Sequence, residues 1–89
     1  MDNLENDKSK KPVKVYRTGG ISVAIFENTS EEGNLFYKFS AERVYQTGGK
    51  FKTTNSFSFN ELPTLVMLMK RAWYYVLELE TVAKDKSKD

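Results

Sequence analysis

Lysines and arginines are interleaved with aromatic rings between residues 14 and 52: Lys14, Arg17, Lys38, Arg43, Lys50 and Lys52 stand among Tyr16, Phe26 and Tyr45. Cations draw in the phosphates of a nucleic-acid backbone, and open rings give unpaired bases a surface to stack on, worth about 1 to 3 kcal/mol per base. That mixture is the chemistry of holding a flexible anionic chain. The chemistry of bond breaking is missing. The chain has no Cys and no His, which removes disulfides, thiolate and imidazole nucleophiles, and the commonest soft metal ligands. Glu27, Glu31, Glu32 and Glu42 fall in loops or are scattered along a strand, with no nucleophile and paired base among them. No enzyme activity, metal or cofactor is expected.

The 89 residues suffice for one domain, near the size where burial alone gives marginal stability. Fourteen basic and 12 acidic residues leave a net charge of +2, which permits anionic partners without demanding them. No run approaches the roughly 18 apolar residues of a membrane span, and MDNLENDKSKK is too polar for a signal peptide. A soluble, cytoplasmic protein is expected, associated with the nucleoid or placed in a nucleus according to its source. Residues 1–11 read as a disordered charged extension, 12–81 as the domain and 82–89 as a second disordered charged tail.

Within the domain, alternation of apolar and polar residues predicts strands over Val13–Arg17, Ile21–Asn28, Leu35–Gln46 and Phe51–Phe59. Thr18-Gly19-Gly20 and Thr47-Gly48-Gly49-Lys50 supply hairpin turns. Val13, Val15, Ile21, Val23, Ile25, Phe57 and Phe59 are expected to face a core. Lys14, Tyr16, Ser22, Phe26, Phe36, Lys38, Lys52 and Thr54 would then share the opposite, open face, edged by Arg17, Arg43, Tyr45 and Lys50. The third strand, at about 3.3 Å per residue, outruns the helix, so its far end with Arg43 and Tyr45 should overhang the core.

The longest periodic segment, Asn60 to Glu80, predicts a helix with Asn60 as its N-cap and Pro63 in the first turn. Its apolar residues spread over about 200° of arc at about 100° per residue, wider than the stripe one core requires. Leu65, Leu68, Met69, Ala72, Trp73, Tyr75, Val76 and Leu79 are therefore expected to pack on a second copy as well as on the sheet. The order is ββββα: an α+β fold in which a four-stranded antiparallel meander precedes one long C-terminal helix that mediates a dimer.

Two stretches carry a family resemblance. Gly19-Gly20 followed by Ile-Ser-Val-Ala-Ile-Phe-Glu27, and Asn55-Ser-Phe-Ser-Phe-Asn60 running into the apolar helix, make the chain from about Val13 to Leu79 resemble the single-stranded-DNA-binding transcriptional coactivators typified by positive cofactor four. The resemblance implies four antiparallel strands and a helix through which two copies pair. The family's basic residues around the first glycine turn are reduced here to Arg17 and Lys14, and its aromatic residue at the end of the second strand is matched by Phe26.

The expectation is a homodimer that binds single-stranded DNA, or RNA, with little sequence preference in transcription, replication or repair. Lys14, Arg17, Lys38, Arg43, Lys50 and Lys52 would hold phosphates while Tyr16, Phe26 and Tyr45 stack on bases. The alternative is a non-enzymatic adaptor that docks a polypeptide on the same dimeric sheet.

Overall fold

The computed structural model describes residues 11–88, with side chains as far as Val82. The expected N-terminal extension falls, Lys11 apart, outside the described residues. Four strands form one antiparallel sheet in the order β1-β2-β3-β4: β1 (Lys14–Thr18), β2 (Ile21–Thr29), β3 (Leu35–Thr47) and β4 (Lys50–Thr54). A short 3-10 turn, Phe59–Glu61, leads into a single helix, α1 (Leu62–Lys88). The chain is the α+β, ββββα meander that alternation and helical periodicity predict.

Two glycine pairs fix the register. Gly19 and Gly20 have φ of 56° and 86°, and Gly48 and Gly49 have 56° and 77°. Positive φ at both central residues is what a two-residue turn needs if its twist is to match that of the flanking strands. The turns therefore pair Thr18 with Ile21 and Thr47 with Lys50. Directly opposed residues on antiparallel strands point to the same face, so every later pairing follows.

Ile21, Val23 and Ile25 are buried against Leu68, Ala72 and Val76 of α1. The helix lies over β1 and β2, touches β3 slightly and does not reach β4. β3 is the long member. Its residues Leu35–Arg43 pair with β2, and only Arg43–Thr47 pair with β4. The β3–β4 hairpin thus leaves the sheet body as a two-stranded ribbon; Tyr45 overhangs as expected, whereas Arg43 still pairs with Ile21 and stands at the ribbon's root. Its root is tied to the body where the Val44 N–H donates to the Gly20 carbonyl at 2.9 Å.

Several sequence expectations are corrected. Val13 and Val15 do not face the core. The tight turn sets Tyr16 opposite Val23 and Lys14 opposite Ile25, which brings Lys14 and Tyr16 to the helix side and sends the valines to the other. β4 ends at Thr54, not Phe59. The Asn55 side-chain amide donates to the Ala41 carbonyl at 2.7 Å, diverting the chain into an irregular segment. Phe57 still packs against the core, whereas Phe59 is 85% exposed. The cap lies two residues before Asn60. Glu61 Oε1 accepts from the Ser58 N–H at 2.8 Å and from its hydroxyl at 3.0 Å, the Ser-x-x-Glu arrangement of a helix start. At the other end the backbone stays helical to Lys88, where a disordered tail was expected from residue 82. No glycine or proline follows Pro63 to stop it.

Candidate nucleic-acid interface

The register divides the nine proposed binding residues between the two faces of the sheet. Arg43, Tyr45 and Lys52 stand side by side on the helix-bearing face of the ribbon, since Tyr45 pairs with Lys52 and Arg43 with Thr54. Lys50, opposite Thr47, continues the same row. Lys52 and Thr54 are thereby moved from the open face on which alternation alone placed them, because the Gly48–Gly49 turn sets their phase. The helix does not cover this row. Across Arg43–Thr54 there are three cations and no Asp or Glu, so the ribbon's +3 exceeds the +2 of the whole chain. Phe51 projects from its reverse face opposite Gln46 and is 74% exposed. A narrow two-stranded element with two lysines near its tip and a ring on each face can follow a phosphate backbone and offer bases something to stack on.

Arg43 is the most constrained of the set. Its Nε donates to the Ser56 carbonyl at 3.3 Å and lies 3.0 Å from Glu61 Oε1 in an ion pair, and its guanidinium carbon lies 5.7 Å from the Tyr45 ring centre. The Ser58 backbone N–H holds the Glu61 carboxyl below the usual range; desolvation opposes it, and the Ser58 hydroxyl and then Arg43 add to the lowering. Glu61 was not singled out in the sequence, although Ser58 three residues before it is the helix-start signature that marks it.

The other proposed residues do not join this row. Lys14 is on the helix side, its ammonium over the Tyr16 ring at 5.4 Å and the Tyr75 ring at 6.0 Å. Tyr16 packs against the core. Both form the apolar edge beneath α1, where a long cationic side chain covers rings and keeps its head in water. Phe26 and Lys38 are direct partners on the helix-free face, with Lys38 Nζ 5.9 Å from the Phe36 ring centre. Arg17 is on that face too, opposite Ser22, which faces Glu42 in turn. The helix-free face therefore forms a second, weaker patch of Arg17, Phe26, Phe36 and Lys38.

The expected dimer residues also separate. Leu68, Ala72 and Val76 are buried by their own sheet, the first of the two neighbours expected for the helix, and Leu65 and Tyr75 are partly buried against the same core. Met69, Trp73 and Leu79 remain exposed. Around α1 a second stripe, Leu62, Val66, Met69, Trp73 and Leu77, follows the spacing of 3 and 4 that marks one helical face, and all five are exposed. Beside it lie Leu35 and Phe39 of β3, which point to the helix side but are left uncovered because α1 sits over β1 and β2. A shallow hollow between Leu35, Phe39, Trp73 and Leu77 joins the two elements. At its rim the Tyr37 hydroxyl donates weakly to Glu27 at 3.4 Å, and desolvation, followed by the Glu27 charge, raises its pKa.

Among the described residues no helix is long and apolar enough to cross a membrane. Compared with family models, curated proteins and solved structures, the chain gives no match.

Proposed function

We propose that this chain is a non-catalytic single-stranded nucleic-acid-binding protein, with DNA the favoured polymer, acting in transcription, replication or repair wherever that strand is exposed, in cytoplasm, nucleoid or nucleus. The observation that carries the reading is the uncovered β3–β4 ribbon with its three cations, no acid, and Tyr45 and Phe51 on its two faces. Lys50 and Lys52 contact phosphates, Tyr45 and Phe51 stack on bases, and Arg17, Lys38 and Phe26 extend the track onto the helix-free face. Little base discrimination follows from phosphate contacts and stacking alone. The resemblance to the positive cofactor four-like coactivators, carried by Gly19–Glu27 and Asn55–Asn60, supports the same reading.

The second copy belongs to this proposal. Leu62, Val66, Met69, Trp73 and Leu77, with Leu35 and Phe39, make one apolar surface of the kind that marks a protein contact in a small soluble domain. Two copies joined there carry two ribbons, so one strand that reaches both gains avidity.

The test is a fluorescence titration of oligo-dT at two salt concentrations. Each phosphate contact adds about 0.7 to the slope of log K against log salt for a single strand. Salt-sensitive binding is expected. Its absence, together with salt-insensitive capture of a peptide, would favour the adaptor, for which the exposed Phe36 on the helix-free face of the sheet offers a docking point.

A further inference from the structure

Within the ribbon, Arg43 differs in kind from Lys50 and Lys52. The lysines are flexible point charges at an exposed tip, where a phosphate meets no competing anion. Arg43 is anchored at the root through Nε alone, to Glu61 at 3.0 Å and to the Ser56 carbonyl at 3.3 Å, beside the Tyr45 ring. Those contacts fix the plane of the guanidinium and occupy one of its edges. The remaining edge carries the Nη groups, whose paired N–H donors are spaced for a bidentate acceptor.

Two acceptors fit that edge: a phosphate, or the O6 and N7 of guanine. Glu61 decides between them. A phosphate bound to the Nη groups would bring a second anion close to the Glu61 carboxylate, whose own charge already compensates Arg43. A neutral base edge meets no such repulsion. The guanidinium lies over one face of the Tyr45 ring, which leaves the other face for an adjoining base to stack on.

We infer that Arg43 is a guanine-reading side chain, that Glu61 is the positioning residue that turns it from phosphate to base, and that each copy therefore favours guanine at one point on an otherwise unselective strand. The inference rests on the nucleic-acid reading above and adds a specificity to it.

The experiment uses the full chain and two labelled strands of about 16 nucleotides, one all thymine and one thymine with isolated guanines. The native protein should favour the guanine strand by about fivefold or more, the lower end of what one bidentate base contact gives. Arg43→Lys keeps a charge but not the fork, and should weaken binding of the guanine strand by more than binding of oligo-dT, bringing the ratio close to one. Glu61→Gln frees the guanidinium for phosphate. It should lower the ratio and steepen the salt slope by about 0.7, a change that a purely structural Glu61 would not produce. Circular dichroism checks that each variant is folded. Equal affinity of the native protein for the two strands, or a guanine preference that survives Arg43→Lys, overturns the inference and leaves the nucleic-acid reading standing. Failure of both strands to bind overturns both.

Discussion

The two ends of β3 face the same side of the sheet and are both left uncovered by α1, yet they differ in every other respect. At the first end, Leu35 and Phe39 lie open beside Trp73 and Leu77. At the second, Arg43, Tyr45 and Lys52 form a polar row without an acidic residue of its own. One long strand under an off-centre helix creates both. An uncovered apolar end is stabilised by excluding water, which a second copy can do. An uncovered basic end stays solvated and attracts anions from a distance. On the proposed reading, the strand separates assembly from binding along its length.

The largest effect should come from the packed middle between these ends. Leu68 is fully buried against β2, and Leu68→Ala should cost about 2 to 5 kcal/mol of stability, read by denaturant unfolding. A loss as large from any single change at either end would erase the distinction between core and edges. At the apolar end, Trp73→Glu places a charge in the middle of the exposed stripe. The solution mass at micromolar concentration should fall from two copies to one with the circular dichroism spectrum unchanged; a variant that stays dimeric would move the interface elsewhere. At the basic end, Tyr45→Ala should weaken oligonucleotide binding by about 1 to 3 kcal/mol without altering the oligomeric state or the salt slope. An altered salt slope would mean that Tyr45 acts through the neighbouring cations instead of by stacking.

The smallest effect concerns pH. Glu61 has its carboxyl held below the ordinary value of 4.5, chiefly by the Ser58 N–H. A group whose pKa is lower folded than unfolded adds stability above the unfolded value and loses it as the pH falls through the folded one. Thermal stability should therefore decline slightly more below about pH 4.5 in the native protein than in Glu61→Gln. Identical acid profiles would mean that the Ser58–Glu61–Arg43 link does not tie the ribbon's root to the helix start.

Much of this was legible in the residues. Alternation through Ile21, Val23 and Ile25, the length of β3 and the apolar period of α1 led to the ββββα order and to the overhang. Residue type alone assigns the faces of β1 and β4 wrongly. In Val13–Arg17, valines look like core and lysine and tyrosine like surface. Yet a two-residue Gly19–Gly20 turn already obliges Thr18 to pair with Ile21, which puts Tyr16 with Val23 and Lys14 with Ile25. The same count from Gly48–Gly49 places Lys50, Lys52 and Thr54 with Arg43. Turn length outranks hydropathy in setting register, because a slip of one residue reverses every side chain. Which of the two helical stripes meets the sheet was not legible, since Leu68, Ala72 and Val76 are no more apolar than Met69, Trp73 and Leu77. That choice depends on where the connection from β4 delivers the helix, and the Ser58–Glu61 contacts and the Asn55 hydrogen bond set it.

The central claim is that the ribbon, and not the sheet at large, grips the anionic strand. It is tested most directly by comparing the salt dependence of oligo-dT binding in Lys50→Glu/Lys52→Glu with that in Lys14→Glu/Lys38→Glu, two variants with the same change in charge. The account predicts that the first pair loses at least tenfold in affinity, about 1.4 kcal/mol, and most of the salt slope, while the second keeps the greater part of both. Equal losses in the two variants, or a larger loss in the second, would contradict it.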